Sequence, residues 1–433
     1  MTEMRWHIRG GRVIDPARGL DRVTDLYLAA GRVLSVDAPP PGFGDGQVRE
    51  VDARGLLVCP GSVDLCARLR EPGSEHKATI LSETRAAARA GITTLCCPPD
   101  TLPVIDTPAV AELVHRRAEE SGHAKVVCLG ALTAGLAGRQ LAEMFHLKAI
   151  GCVGVSNAMS PIGDTEVLRR AFEYAATAGL TVFLHAEDFW LGRGCLHEGP
   201  VATRLGLPGI PETAETVALS RDLLLIEQTG VRAHFCRLSS ARAVALVRAA
   251  QDAGLPITAD VAAHQLHLTD IDVGYYDSLC HVRPPLRSLR DREGLREGVR
   301  AGVIGAICSD HQPHERDAKT APFEATEPGI SALETLLPLT LALVGDAVLT
   351  LPEAIAALSL RPARILGIEA GSLAPGTPAD VCVFDPQADW TLTEEALMSA
   401  GKNTPFLGWR LRGTVTHTFV SGRLVFEDAA ATR

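Results

Sequence analysis

The residues of this sequence best suited to chemistry are polar side chains in or just after apolar, strand-like runs. His185 follows TVFL and Asp310 follows GAICS. An imidazole or a carboxylate in such a position can bind zinc or transfer a proton. Cys66, Arg68 and Arg237 lie in other strand-like runs. Because an arginine is permanently charged and only donates hydrogen bonds, it cannot bind a cation. His185 and Asp310 therefore favour a metal site, and the arginines oppose one.

Carboxylates near the same strand ends could neutralise these arginines. A guanidinium about 4 Å from a divalent cation would repel it by roughly 8 kcal/mol at an effective dielectric constant near 20. We therefore expect Arg68 and Arg237 to form salt bridges with nearby carboxylates. The candidate partners are Asp310, Glu187 and Asp188.

Strand-like and helical patterns alternate between residues 56 and 365. The candidate strands are VDLCARL, TTLCCP, KVVCLGAL, CVGVSN, TVFLHAED, RAHFCRL, PITADVAAH and GAICSDH. Amphipathic stretches such as TPAVAELVHRRAEES separate them and predict helices. Eight such repeats predict an α/β fold with a closed (β/α)8 barrel of the TIM type. Functional residues of such barrels lie at the C-terminal ends of the strands, which is where the polar residues above are found.

Both ends of the chain are rich in short β-like pieces separated by Gly- and Pro-rich turns. Examples are RWHIRGGRVID near the start and GTVTHTFVSGRLVFE near the end. This pattern is typical of all-β structure. We predict that residues 1–55 and 366–433 together form one small β-sandwich subdomain, and that residues 56–365 form the barrel domain.

Composition excludes several classes of partner. The net charge is −10 and the sequence has no run rich in Lys and Arg, so nucleic acid and anionic membranes are poor partners. The first residues lack the apolar region of a signal peptide, and no run of about 18 apolar residues exists. We expect a soluble, cytoplasmic protein. The odd count of eleven cysteines predicts buried free thiols rather than a disulfide framework.

Several motifs resemble those of dihydroorotases and other cyclic amidohydrolases. Residues 58–73, VCPGSVDLCARLREPG, resemble the first-strand pattern PGxIDxHxHLREPG of that family. Further similar segments, which together span essentially the whole chain, are PPDTLPVIDTP, HAED, LGLPGIPETAE, RPPLR, SDHQPH, GISALETLLPL, KNTPF and the stretch RPARILGIEAGSLAPGTPADVCVFDP. The resemblance implies an amidohydrolase barrel whose family chemistry is metal-assisted hydrolysis of a cyclic amide.

The resemblance also assigns the positions of the family's metal ligands. Most of them carry other residue types here, namely Cys66, Arg68, Asn157, Ala158 and Arg237. His185 and the strand-eight aspartate, Asp310, are kept, and Asp310 would be the relic of the general base. We therefore expect no binuclear zinc centre and no other cofactor. A rebuilt site in which Cys66 joins His185 and Asp310 as zinc ligands is a weaker alternative.

On the substrate side, the resemblance implies a half-kept site. Arg70 matches the arginine that grips the dihydroorotate carboxylate, and His314 belongs to the SDHQPH segment. Asp100 and Arg283 replace two family asparagines. These residues predict a relic of the substrate site, or a site suited to another anion. A salt bridge of Arg70 with Glu71 or Asp100, and a purely structural turn around His314, are the alternatives.

Two further histidines, His264 and His267, close a predicted strand but match no family ligand. We expect them to pack in the structure or to face solvent.

The leading hypothesis is a non-catalytic dihydroorotase homologue. It would resemble the dihydroorotase-like structural subunit that accompanies some bacterial aspartate transcarbamoylases in pyrimidine biosynthesis. The expected partners are an aspartate transcarbamoylase catalytic chain and further copies of this chain. One alternative is an active zinc-dependent dihydroorotase or other cyclic amidohydrolase with a rebuilt site. Another is a small-anion sensor that uses Arg68, Arg70, Arg237 and Arg283.

Overall fold

The computed structural model of the protein describes residues 4–428. The predicted subdomain limits at residues 1–3 and 429–433 lie outside this range. The described chain begins with strands whose apolar residues alternate with polar ones, as in a half-buried sheet. These strands are β1 (Arg5–Asp15), β2 (Leu20–Ala29), β3 (Arg32–Val36), β4 (Val48–Asp52) and β5 (Leu57–Pro60).

Parallel strands then alternate with helices. The barrel strands are β6 (Ser62–Asp64), β7 (Ile92–Cys97), β8 (Lys125–Ala131), β9 (Gly154–Ser156), β10 (Thr181–Leu184), β13 (Ala233–Phe235), β14 (Ile257–Ala262) and β15 (Ala306–Cys308). Between β10 and β13 lies a short parallel pair, β11 (Leu196–His197) with β12 (Gly209–Ile210). Each barrel strand pairs with the next in chain order within the described residues. Most of them are buried along their whole length, which is typical of a parallel sheet covered by helices.

The barrel closes through backbone hydrogen bonds between its first and last strand regions. The Arg68 amide donates to the His311 carbonyl at 2.9 Å, and the His311 amide donates to the Cys66 carbonyl at 3.1 Å. The predicted fold class, a TIM-type barrel with a second β-structure from both chain ends, is confirmed.

The helices cover the outside of the barrel. They are α1 (Ile80–Arg89), α2 (Pro108–Ser121), α3 (Met144–Ala149), α4 (Thr165–Ala178), α5 (Pro200–Leu205), α6 (Glu212–Thr229), α7 (Ala241–Asp252), α8 (Leu289–Arg300), α9 (Leu333–Gly345), α10 (Leu351–Leu358) and α11 (Leu360–Leu366). Their ends follow local sequence signals. Thr79, Asp164 and Ser240 accept hydrogen bonds from the first turns of α1, α4 and α7, which satisfies amides that lack a partner inside the helix. No helix among residues 4–428 is long and apolar enough to cross a membrane.

The C-terminal strands complete the first sheet. They are β16 (Val381–Thr391), β17 (Arg410–Val420) and β18 (Arg423–Glu427). β16 pairs antiparallel with both β5 and β17, and β5 pairs with β1, so both chain ends join one continuous sheet. β5 belongs to this sheet, although the sequence placed residues from 56 onward in the barrel. The crossing into the barrel occurs at Gly61, where a Cβ atom would lie 2.2 Å from Thr93 Cγ2.

Candidate functional site at the barrel mouth

The loops that follow the barrel strands bring together residues that are far apart in sequence. We use the name barrel mouth for Cys66, Arg68, His185, Arg237, His264 and Asp310. Their side chains are almost entirely buried; those of Arg68 and Arg237 expose 5% and 3% of their surface. Such burial requires that each charge be paired.

Asp310 is the centre of this cluster. Its Oδ1 atom accepts hydrogen bonds from Arg237 Nη1 at 3.0 Å and from Arg68 Nη1 at 3.4 Å. The Cys66 thiol lies 3.5 Å from the same oxygen. Burial alone would raise the pKa of Asp310, but Arg237 and Arg68 outweigh burial and lower it. Asp310 is therefore an ionised carboxylate held between two guanidinium groups, and the salt bridges predicted for Asp310 are present.

The second contact of Arg68 is with Asp100, whose Oδ2 accepts from Arg68 Nε at 2.7 Å. The sequence placed Asp100 on the substrate side of the site. In the structure its carboxylate is directed to Arg68 and is 26% exposed. Gly73 makes this approach of two loops possible, because a Cβ atom at Gly73 would lie 2.1 Å from the Leu102 carbonyl oxygen.

A separate ion pair lies beside His185. Arg283 Nε donates to Glu187 Oε2 at 2.8 Å, and Arg283 Nη2 donates to the other carboxylate oxygen and to the Gly192 carbonyl at 2.9 Å. His185 Nε2 lies 3.5 Å from Glu187 Oε2, but no hydrogen bond to it forms within the described residues. Burial alone would raise the pKa of Glu187, yet His185 and Arg283 lower it to about 2. Glu187 is thus paired with Arg283, and not with Arg68 or Arg237.

Asn157 and Ala158, at the positions of the family's acidic pair, serve the loop after β9. Asn157 Oδ1 accepts from Thr133 Oγ1 at 2.6 Å, and its Nδ2 donates to the Ser160 carbonyl at 2.7 Å. Ala158 has a positive φ of 50°. Both ends of the Asn157 amide are used in holding this loop together, so neither residue offers a ligand atom.

Arg70 and His314 lie together, beside the barrel mouth. Arg70 Nε donates to the Pro313 carbonyl at 2.9 Å, and its Nη2 lies 3.1 Å from His314 Nε2. Burial, together with Arg68, lowers the pKa of Arg70 to about 10. Burial and the neighbouring Arg70 lower the pKa of His314 to about 2. Neither Glu71 nor Asp100 forms an ion pair with Arg70 among the described residues, so the alternative salt bridge is not formed.

Sequence reasoning missed the role of two buried histidines. His264 is 2% exposed and lies close enough to Asp310 and Arg237 for both to affect its protonation. Its position at the end of a predicted strand was the available signal. His311 bonds Glu83 Oε2 at 2.8 Å and accepts from the Ala332 amide at 3.0 Å. His311 therefore joins α1 and α9 to the strand that carries Asp310.

The backbone at the barrel mouth is unusual. Arg237 and Asp310 have φ values of 56° and 47°, which are uncommon for residues with side chains and typical of functional sites. Asp260 Oδ1 accepts the Arg237 amide at 2.5 Å. His234 in turn bonds Asp260 Oδ2 at 2.9 Å and Thr258 Oγ1 at 2.7 Å. A buried chain of hydrogen bonds thus fixes the strained backbone that directs Arg237 towards Asp310.

The residues at the family's ligand positions do not fit a binuclear zinc site. Zinc requires N, O or S ligand atoms at about 2.0–2.3 Å, whereas two guanidinium groups here contact Asp310. Burial raises the pKa of the Cys66 thiol to about 12, which disfavours the thiolate that zinc would bind. His185 and Asp310 alone are too few for such a centre.

Another group with potential ligands lies deeper in the barrel. His234, Cys236 and Asp260 place ligand atoms within 4.8 Å of one another. Both nitrogens of His234 already have hydrogen-bond partners, and burial raises the pKa of the Cys236 thiol well above its usual value. The arrangement is that of a hydrogen-bonded support for Arg237.

Known proteins resemble this chain over nearly its full length. Residues 55–243 match the family described as Dihydro-orotase-like, and residues 333–426 match the Amidohydrolase family. A protein named Dihydroorotase-like protein from Pseudomonas aeruginosa is 55% identical over 421 residues, which cover 97% of this chain and 99% of that protein. A protein named Dihydroorotase from Anaeromyxobacter sp. strain K is 46% identical over 429 residues, which cover 98% and 99%.

Solved structures share the fold. L-hydantoinase (dihydropyrimidinase) from Arthrobacter aurescens has a TM-score of 0.85 at 23% sequence identity, over 99% of this chain and 96% of that chain. D-hydantoinase (dihydropyrimidinase) from Thermus sp. has a TM-score of 0.82 at 22% identity, over 98% and 95%. At this identity the likeness establishes the fold alone. From the full-length similarity to the relatives above, this chain belongs to the dihydroorotase-like family of the amidohydrolase superfamily.

Proposed function

We propose that this protein is a non-catalytic member of the dihydroorotase family and acts as a structural subunit for an aspartate transcarbamoylase catalytic chain. The Arg68–Asp310–Arg237 cluster is the observation that supports the absence of catalysis. Two guanidinium groups share one oxygen of the aspartate that the family uses as its base. A base paired with two cations is a poor proton acceptor, because both cations favour its ionised form.

The chemistry of the family supports the same proposal. Its nucleophile is a metal-bound hydroxide, since zinc lowers the pKa of bound water to about 7. Two of the ligand positions carry arginines, which repel a cation, and the Asn157 amide is used in holding a loop together. A protein with this site is expected to hold no zinc pair and to leave dihydroorotate unhydrolysed.

Metal analysis and enzyme assay test this part directly. Protein purified without chelator is expected to contain well under one equivalent of zinc and to show no chelator-sensitive hydrolysis of dihydroorotate. Two equivalents of zinc, together with a robust chelator-sensitive rate, would reject the proposal. That result would instead support an active cyclic amidohydrolase with a rebuilt site.

The structural role is supported by which residues differ from the family pattern and which do not. The family motifs around the barrel mouth are kept, including Pro60, Gly61, Asp64, Glu71 and Pro72. Stability does not require a metal, because the barrel and its helices share an extensive apolar core. A scaffold of this size can supply the interface of about 1,200 Å² or more that stable complexes bury.

Co-expression with the aspartate transcarbamoylase of the same source tests the scaffold. We expect both chains to elute together at a mass above that of either chain alone, and transcarbamoylase activity to fall when this chain is omitted. An unchanged mass and activity would contradict the proposed role.

A matched control separates the scaffold from the barrel mouth. The variant that combines Cys66→His, Arg68→His and Arg237→His changes the buried cluster alone, provided that it folds. On this proposal the variant still forms the complex, because the contact surface is not the barrel mouth. Loss of the complex in a folded variant would contradict that part of the proposal.

A further inference from the structure

The barrel mouth has more hydrogen-bond donors than its own residues can satisfy. Within residues 4–428, eleven buried polar side-chain atoms have no hydrogen-bond partner, and five of them belong to four barrel-mouth residues. They are Arg68 Nη2, Arg237 Nε, His185 Nε2 and both ring nitrogens of His264. A buried donor without a partner costs about 1–3 kcal/mol, and more when it is charged. The concentration of such atoms in one place indicates a missing acceptor there.

The type of acceptor follows from the donors. A guanidinium has five N–H donors and no acceptor, so only an acceptor can satisfy Arg68 Nη2 and Arg237 Nε. The His264 ring can donate through one nitrogen while neutral. The missing partner therefore carries acceptor atoms and reaches both arginines.

The balance of charge favours an anion over a neutral acceptor. Arg68 and Arg237 are two buried cations, and Asp310 is the one fully buried carboxylate in contact with them among the described residues. Asp100, which is partly exposed, balances the second of these cations. Arg70 lies beside Arg68 and forms no ion pair among the described residues, so its positive charge remains uncompensated. Arg283 and Glu187 neutralise each other. A monovalent anion would satisfy the donors and the remaining positive charge together.

The burial of the same side chains limits the size of the ligand. Arg68 is 5% exposed, Arg237 is 4% exposed and His264 is 2% exposed. An occupant of this site must be small, because these side chains already pack closely around Asp310 and Cys66.

We propose that the barrel mouth binds one small monovalent anion, of the size of formate or bicarbonate, between Arg68, Arg237 and the ring of His264. The anion would therefore bind at the end of the barrel where other members of the family bind metal cations. It does not depend on the transcarbamoylase partner, and it can be tested on this chain alone.

The first test is a titration of the full-length protein with sodium formate. Ionic strength is held constant with gluconate, which is too large to enter the site. Because a ligand of the native state stabilises it by mass action, we expect a saturable rise in Tm with formate. A Tm that does not respond, or that changes linearly without saturation, would contradict the proposal.

A pair of histidine variants makes the test specific. His264→Leu removes two unpartnered ring nitrogens and breaks no hydrogen bond within the described residues, so its Tm in gluconate should not fall. Its apparent formate affinity should fall roughly tenfold or more, as expected for the loss of a hydrogen bond to a charged group. The control is His267→Leu, whose ring bonds the Leu339 carbonyl instead. We expect it to keep the formate response even if its Tm in gluconate falls.

Crystals of the unaltered protein provide a second measurement that does not depend on any variant. Grown or soaked in sodium bromide, they should show an anomalous peak within hydrogen-bond distance of Arg68, Arg237 and His264. A refined structure with water alone at these donors, together with equal formate affinities of the two leucine variants, would overturn the proposal.

Discussion

At the scale of single residues, the barrel mouth is held together by one carboxylate. Asp310 contacts both guanidinium groups and is 1% exposed. Removing one partner of a buried ion pair leaves an uncompensated charge, which is far more costly than the pair itself is stabilising. The structural importance of Asp310 is therefore greater than that of a typical ion-paired residue.

We predict that Asp310→Ala lowers the free energy of unfolding by about 3–5 kcal/mol, since two buried arginines lose their shared acceptor. Urea denaturation followed by circular dichroism measures the change. The matched control is Asp21→Ala, which removes a partly exposed partner of Arg12 and should change stability by about 1 kcal/mol or less. Equal effects of the two substitutions would show that the cluster is not a structural centre.

The pairing of Arg68 and Arg237 with Asp310 could be predicted from residue types. Strand-end positions brought the three residues to one side of the barrel, and only the carboxylates there could neutralise them. The contact of Arg68 with Asp100 could not, because it depends on how the loop after β7 folds back over the loop that contains Gly73. The burial of His264 agrees with the expectation that it packs, but its position beside Asp310 and Arg237 could not be predicted before its neighbours were known.

At the scale of elements, backbone strain is found just after the ends of several barrel strands. Ala158, Arg237 and Asp310 follow β9, β13 and β15 with positive φ values. A left-handed conformation is unfavourable for any residue with a Cβ atom. These turns direct the following side chains, or the loop itself, towards the barrel axis.

We predict that Ala158→Gly is neutral or stabilises the protein by up to about 1 kcal/mol, because relief of the steric cost of a positive φ offsets or exceeds the destabilising entropy that glycine gains in the unfolded state. Ala86→Gly in the buried middle of α1 is the contrasting variant. It should destabilise by about 1 kcal/mol or more. Thermal unfolding of both variants decides it, and destabilisation by Ala158→Gly of the same size would show that this turn is not strained.

The strands were predictable in position but not in length. The run VDLCARL predicts a strand over 63–69, whereas β6 ends at Asp64. Beyond it Ala67 forms an isolated bridge to His311, and its amide donates to the Cys96 carbonyl at 3.0 Å. The apolar pattern continues because these residues are still buried, although they have left the regular hydrogen-bond ladder to line the barrel mouth. An apolar pattern in the sequence predicts which residues are buried. It does not predict where regular strand pairing ends.

At the scale of the whole molecule, buried neutral histidines contribute to the dependence of stability on pH. Burial lowers the pKa values of His264, His267 and His281 to about 4, against about 6.5 in an unfolded chain. At these three side chains the unfolded state therefore binds more protons than the folded state between pH 4 and 6.5. The stability that these groups contribute is complete above pH 6.5 and is lost as the pH falls towards 4.

We predict that the contribution of these histidines to the free energy of unfolding falls as the pH is lowered from about 6.5 to about 4. Burial raises the pKa of Asp64 to about 7 and that of Asp222 to about 6, so these two carboxyls contribute in the opposite direction. His267→Gln keeps a donor for the Leu339 carbonyl but cannot titrate, so it should reduce proton uptake on unfolding by about one proton in this window. Urea denaturation at half-unit pH steps measures the slope. An identical slope in the variant would mean that His267 is not held neutral in the fold.

The closure of the barrel has a consequence for how the molecule opens. The Arg68 and His311 amides join the first and last strand regions, and the Arg68–Asp310 ion pair links the same two regions. Here backbone and side-chain bonds would have to break together, so these amides should exchange with solvent deuterium only through global unfolding. The Arg68–Asp310 ion pair would therefore make the junction between the first and last strand regions harder to open than its backbone hydrogen bonds alone.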